Sequence, residues 1–122
     1  MTDRTLTITL EQDWRSALRA AGQRAQAGSY AGEVLNFETA GAFFAQLTAR
    51  RWALVHALQG AGALPVRELA RRVGRDVKRV HGDVASLAAL GLVDRTDTGG
   101  VSCPFSTIHV DMHLTARHPL AA

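Results

Sequence analysis

Residues 66–103, VRELARRVGRDVKRVHGDVASLAALGLVDRTDTGGVSC, decide how this chain folds. Their first part carries apolar residues at the spacing of one helical face, namely Val66, Leu69, Ala70 and Val73. Gly74 suits a turn after that helix, and Asp76 can cap a second helix by accepting hydrogen bonds from its free backbone N–H groups. The stretch therefore predicts a helix-turn-helix.

The second helix and the residues after it complete the motif. Its apolar residues recur every three or four positions, at Val77, Val80, Val84, Leu87 and Leu90. Gly91 can end the helix in a left-handed conformation. Leu92 and Val93 then begin a strand, residues 96–100 supply turn residues, and residues 101–103 can return as a partner strand. This order predicts a winged helix, and the class we expect is mainly α with small β elements (α+β).

Composition favours one globular domain, or one domain with a small appendage. The chain has 122 residues, of which 47% are apolar and 20% charged. No apolar run reaches membrane-spanning length and the first ten residues do not resemble a signal peptide, so we expect a cytoplasmic protein with no membrane partner. Cys103 is the single cysteine, which excludes an internal disulfide and a cysteine-cluster zinc site.

Positive charge is concentrated in the helix-turn-helix. The net charge is +3, but residues 67–79 contain six Arg or Lys residues and only two acids, Glu68 and Asp76. Clustered basic charge on such a motif is typical of a protein that contacts the phosphate backbone of a nucleic acid.

Residues 1–38 are predicted to form a strand-helix-strand extension. Thr5–Leu10 alternates as a half-buried strand, Glu11–Ala27 has a narrow helical apolar stripe, and Glu33–Glu38 suits a short strand. These elements bury little apolar surface by themselves. They could pack on the rest of the chain, or serve for homodimerisation or for binding a partner protein.

Residues 39–114 are the predicted DNA-binding domain, followed by a loose tail, 115–122. A helical pattern from Thr39 has a possible break at Leu47-Thr48, and Leu64-Pro65 leads into the helix-turn-helix. After a turn, Ile108–Leu114 alternates strictly as a strand.

The exposed side of the second helix is suited to reading DNA. The major groove admits one α-helix, and its base edges offer acceptors to Lys and Arg. The expected base contacts are Lys78, Arg79, His81 and Gly82, and the expected phosphate contacts are Arg71, Arg72, Arg75, Ser86 and Arg95. Alternatively, the same charges solvate the face of a winged helix that binds only protein.

Other chemistry has little support in the sequence. His109, Asp111 and His113 share one strand face and have the ligand types that zinc takes, but no fourth ligand is evident. We therefore expect no metal and no cofactor, and keep a ligand- or metal-responsive sensor as an alternative function. No Gly-rich phosphate loop, nucleophile elbow or paired carboxylates are present, so we do not expect an enzyme.

The run of residues 66–95, with Pro104-Phe105, the strand IHVDMHL and the preceding Asn36–Thr39, resembles the HVO_A0114 family of small prokaryotic DNA-binding proteins. The sharpest part of the resemblance is Glu68–Ala70 followed by Gly74–His81. It implies a transcriptional regulator, a repressor or the autoregulating antitoxin of a toxin–antitoxin pair, with a cognate toxin as partner. The family's basic helix start falls on Arg75, Lys78, Arg79 and His81. Pro65 departs from the pattern because a capping Ser or Thr is common there.

Overall fold

The computed structural model describes residues 3–11, 19 and 32–116. Over these ranges the helices are α1 (Ala40–Gln46), α2 (Ala49–Leu58), α3 (Val66–Val73) and α4 (Val77–Leu90). The strands are β1 (Thr5–Leu10), β2 (Glu33–Phe37), β3 (Leu64–Pro65), β4 (Asp94–Arg95), β5 (Gly100–Ser102) and β6 (Thr107–Asp111). The predicted α+β class is confirmed.

The helical segment after residue 38 is divided in two, as the possible break at Leu47-Thr48 predicted. Thr39 caps α1 by accepting from the backbone N–H of Ala42 at 3.0 Å. Thr48 caps α2 by accepting from the N–H of Arg51 at 3.3 Å. Each threonine satisfies a backbone donor that the first turn of a helix leaves free, so each starts its own helix.

Helices α3 and α4 are bounded by the predicted residues. Gly74 ends α3 with φ at 67°, and Gly91 ends α4 with φ at 83°, both in the left-handed region that favours glycine. The Asp76 carboxylate accepts from the N–H of Arg79 at 3.2 Å and so caps α4. Pro65 precedes α3 without a side-chain cap hydrogen bond, as expected from its chemistry.

A small antiparallel sheet has the strand order β3-β5-β4. The predicted hairpin is present, but its strands are displaced: β4 begins at Asp94, after the buried residues Leu92 and Val93, and β5 ends at Ser102. Strand β3, whose residue Leu64 pairs with Val101, was not predicted from the sequence. A two-residue strand is too short to produce an alternating pattern.

A second sheet is parallel and has the order β2-β1-β6. Strands β1 and β2 confirm the predictions for these segments. Strand β6 starts one residue earlier than predicted and stops at Asp111, three residues before the expected end. Since β6 pairs with β1, this sheet joins the segment before residue 38 to the segment after it. The predicted helix Glu11–Ala27 lies outside the described residues except for Glu11 and Arg19, and so does most of the predicted tail.

The core is one hydrophobic cluster, to which both sheets and the helices contribute buried residues. Ile8 of the parallel sheet, Leu58 of α2, Leu69 of α3 and Leu87 of α4 are all fully buried. The parallel sheet and the helices therefore share a single interior. In the part of the chain that the structure describes, no helix is long and apolar enough to cross a membrane.

Candidate nucleic-acid interface

Helix α4 has one buried side and one basic, exposed side. Val80, Val84 and Leu87 are buried in the core. The residues predicted to contact bases lie on the other side and are all exposed: Lys78, Arg79, His81 and Gly82. Outside its two chain neighbours and the adjoining backbone of α4 itself, no heavy atom comes within 4 Å of the position that a Cβ on Gly82 would occupy. The backbone of α4 is therefore open to close approach at Gly82.

Asp83 lies at the edge of this side and joins two arginines from other parts of the fold. Its Oδ1 accepts from Arg51 Nε at 3.0 Å and its Oδ2 accepts from Arg75 Nη2 at 2.7 Å. The three side chains are only 18–19% exposed. Arg51 also donates to Ser86 Oγ at 3.2 Å and to the backbone carbonyl of Gln46 at 2.8 Å. This ion-pair cluster ties the end of α1 and the start of α2 to the turn before α4 and to α4 itself.

The cluster determines the protonation of Asp83. Burial raises the pKa of Asp83, but hydrogen bonds and charge from Arg75 and Arg51 together outweigh it and hold the pKa below its usual 3.8. Asp83 is therefore ionised at neutral pH and neutralises one of its two arginine partners.

Two predicted phosphate contacts, Arg75 and Ser86, lie in this cluster and make internal hydrogen bonds. Their contacts with Asp83 and Arg51 were not predicted from the sequence. The signal was weak, because Arg51 and Asp83 are 32 positions apart and neither breaks the apolar periodicity of its helix.

Arg71 and Arg72 are exposed on α3 and share one acid. Glu68 accepts from Arg71 Nε at 2.8 Å and from Arg72 Nε at 3.1 Å. These hydrogen bonds lower the pKa of Glu68 to about 2. Glu68 thus stays ionised at neutral pH and leaves this trio with one net positive charge.

Arg95 stands on the exposed hairpin strand β4, across a cleft from α4. The cleft has a volume of about 270 Å³, and its walls include His81 on α4 and Arg95 and Asp97 on the hairpin. Thr96 Oγ1 accepts from the N–H of Gly100 at 2.8 Å and orders the turn beside it. The fold thus brings His81 and Arg95, predicted from separate segments, to the same cleft.

A second cleft lies between the first turns of α2 and α4. Its volume is about 450 Å³, and it is lined by Arg50, Arg75, Asp76 and Arg79. From the sequence, Arg50 could either reach phosphate or be an ordinary solvated arginine, and the second interpretation was favoured because its charge alone does not distinguish the two.

The three residues considered for a metal do not form a ligand set. Strand β6 ends at Asp111, so His113 lies beyond it and does not continue its alternation. His113 Nε2 lies 3.1 Å from Asp111 Oδ1, and these two side chains are 84% and 49% exposed. Among residues 3–11, 19 and 32–116, no three His, Cys, Asp or Glu side chains are grouped so that they could hold a metal ion.

The model of the HVO_A0114 family matches residues 46–110, which is more than half of the chain. The match runs from the last residue of α1 into β6 and includes both clefts and the Asp83 cluster. Searches of curated proteins and of solved structures found no match.

Proposed function

This chain belongs to the HVO_A0114 family, and we propose that it is a sequence-specific DNA-binding transcriptional regulator with a winged helix-turn-helix. The observation that supports this function best is the exposed basic side of α4, with Lys78, Arg79 and His81 beside an open backbone at Gly82. In this proposal α3 and α4 form the helix-turn-helix, and the β4–β5 hairpin is the wing.

Helix α4 is the proposed reading helix in the major groove. Lys78 and Arg79 lie in its first turn, where recognition helices meet base edges, and their donors suit the N7 and O6 acceptors of guanine. His81 can donate or accept, and Gly82 lets the helix approach the bases closely. Sequence specificity would come from this short segment.

Phosphate contacts surround the reading helix in this proposal. Arg71 and Arg72 flank it on α3, and Arg95 flanks it on the wing. Such contacts set the register of the protein on the duplex and make binding sensitive to salt, but they carry no sequence information. Arg75 has a different role, since its bond to Asp83 ties the turn before α4 to the helix itself.

The decisive experiment is fluorescence anisotropy with the DNA upstream of the chain's own gene and with a scrambled duplex, over a series of salt concentrations. We expect preference for the upstream DNA, lost when Lys78→Ala is combined with Arg79→Ala. Binding of both duplexes with equal affinity would contradict sequence-specific regulation and leave only a basic surface that meets phosphate.

Homodimerisation is a further part of the proposal. Most operators have two-fold symmetry, and a dimer matches two half-sites about one helical turn apart. Light scattering of the protein with and without DNA should give the mass of a dimer at micromolar concentration. A monomer under both conditions would contradict this part.

The proposed roles as a repressor and as an autoregulating antitoxin in the cytoplasm rest on the resemblance to the family. An antitoxin should capture the product of an adjacent gene through the segment before about residue 36. Exposed substitutions in that segment should weaken capture and spare DNA binding; capture that survives all of them would argue against the role.

A winged helix that binds only protein is the second candidate. Phe44 favours it, because this large apolar side chain on α1 is 65% exposed. Absence of binding to any duplex, together with loss of partner capture by Phe44→Ala, would support this function over DNA binding.

A further inference from the structure

The cleft between α2 and α4 is walled by three arginines from three separate positions in the fold. Arg50 comes from the first turn of α2, Arg75 from the turn before α4, and Arg79 from the first turn of α4. We infer that this cleft holds one phosphodiester group of the DNA backbone, with Arg50 and Arg79 as its contacts; the inference rests on the proposed function.

Charge around the cleft is unbalanced. Its walls and the adjoining ion-pair cluster hold four arginines, at 50, 51, 75 and 79, against two acids, Asp76 and Asp83. Asp83 is shared between Arg51 and Arg75, and Asp76 accepts from the backbone of α4. Two positive charges remain in a concave site, where low-dielectric walls strengthen the attraction for an anion.

Arg50 and Arg79 are the groups free to supply that attraction. Both are exposed, and neither forms an ion pair with another residue in the described part of the chain. The end of α4 itself adds little, because the N–H of Arg79 already donates to Asp76. The site is thus made by guanidinium groups, which match phosphate oxygens in geometry and charge.

The position of Arg75 in the wall of the cleft is fixed by Asp83. Its Nη2 is held by Asp83 at 2.7 Å, whereas its Nη1 is buried and has no hydrogen-bond partner among the described residues. Arg50, on a different helix from the reading face, would then anchor DNA at the start of α4.

This assignment changes the contacts expected along α4. Arg79 becomes a contact to the DNA backbone instead of a base, while Lys78, His81 and Gly82 remain the expected base contacts. A backbone contact at the start of the helix would fix its register in the groove, since phosphate contacts position a protein on the duplex.

The test is Arg50→Gln in the same anisotropy salt series. Losing one phosphate contact should reduce the slope of log K against log salt by about 0.9. It should also lower the affinity for the upstream duplex and for the scrambled duplex equally. Arg50→Lys, which keeps the charge, should retain the slope. Lys78→Gln is the contrasting variant, because it should lower the preference for the upstream DNA.

A scan with single methylphosphonate linkages then locates the phosphate. At one position, neutralising the linkage should weaken DNA binding by the wild type more than DNA binding by Arg50→Gln, which keeps only Arg79 at that phosphate. A wild-type slope in Arg50→Gln, or a loss spread evenly over all positions, would overturn the inference and leave the proposed function standing. Absence of wild-type binding would overturn the proposed function itself. Because Arg50 is exposed, the melting temperature of Arg50→Gln, measured by circular dichroism, should equal that of the wild type.

Discussion

At the scale of single residues, Asp83 links the proposed DNA-reading helix to the rest of the protein. Its two carboxylate oxygens hold Arg51 of α2 and Arg75 of the turn before α4. Two arginines that could have contacted DNA are thereby used to orient a helix. Charge in a basic sequence is therefore a poor guide to which arginines meet the ligand.

Asp83→Asn should lower the free energy of unfolding at pH 7 by about 2 kcal/mol, because it leaves two largely buried arginines without a carboxylate. The folded-state pKa of Asp83 lies below the usual 3.8, so its stabilisation is complete above pH 3.8 and is lost as the pH falls through the folded pKa. Urea unfolding at several pH values should show the difference between wild type and variant constant from pH 7 to 5 and shrinking in acid.

Asp97→Asn is the matched control, since Asp97 is exposed in the hairpin turn and should change stability little at any pH. A difference for Asp83→Asn that is equally large in strong acid would show that the carboxylate charge is not what stabilises the cluster.

Gly82→Ala separates folding from DNA binding. The new methyl group would meet nothing within 4 Å, and alanine is a better residue than glycine inside a helix, so stability should rise by about 0.5–1 kcal/mol. Affinity for the upstream DNA should fall, because the methyl group would stand between the helix and the bases. Urea unfolding and anisotropy on the same sample measure the two effects.

Gly100→Ala is the contrasting change, since its Cβ would lie 2.9 Å from Thr96 Oγ1 and 3.4 Å from the Ala63 Cβ. It should destabilise the hairpin. If Gly82→Ala instead destabilises the protein, α4 must be packed at Gly82, contrary to the open side described above.

At the scale of elements, α3 shows how an acid moderates a basic surface. Glu68 is ionised at neutral pH and pairs with both Arg71 and Arg72. Glu68→Gln should release both arginines and increase affinity for a scrambled duplex, with a steeper salt dependence. Anisotropy over a salt series measures both quantities.

Glu38→Gln is the control for net charge, because Glu38 is exposed in the loop between β2 and α1 and belongs to neither α3 nor α4. An equal gain from both variants would mean that overall charge, rather than the two arginines of α3, governs nonspecific binding.

The helices and their caps could be predicted because their signals are local. Thr48, Asp76 and Gly91 each act within four residues of their own position, so the sequence contains the whole interaction. The exposed side of α4 followed from the same periodicity. The predictions agree with the structure where the interaction that decides it lies within about one turn of a helix.

Interactions between distant segments could not be predicted in this way. Asp83 meets Arg51 across 32 positions, and Thr5 pairs with Thr107 across most of the chain. Neither contact changes a local apolar pattern, since a polar residue on a helix edge looks the same whether solvent or an arginine faces it. The second cleft could not be predicted for the same reason, because its walls come from the start of α2 and the start of α4.

At the scale of the whole molecule, the parallel sheet makes the first segment part of the interior. Strand β1 lies at its centre, with β2 on one side and β6 on the other. Leu6 and Ile8 of β1 and Phe37 of β2 are buried in the core that also contains α2 and α4. The described part of the segment before residue 38 thus supports the proposed DNA-binding elements directly.

Removal of residues 1–38 should therefore unfold the remainder rather than release an intact DNA-binding unit. The deletion removes the described partner strand of β6, and it removes the buried side chains of Leu6, Ile8 and Phe37 from the core. Within the full chain, Ile8→Ala alone should cost about 3 kcal/mol, because it opens a cavity at a fully buried position. Thr7→Ala, one position along the strand and partly exposed, should cost much less.

Thermal unfolding followed by circular dichroism measures all three proteins. A cooperative transition for residues 39–122 near that of the full chain would show that the helix-turn-helix folds independently and that the sheet is an attachment to it. If instead the truncated chain is unfolded, lost capture of a toxin by that deletion would say nothing about where the toxin binds. Substitutions confined to exposed side chains would then be the valid way to test the antitoxin role, because they leave Leu6, Ile8 and Phe37 in the core.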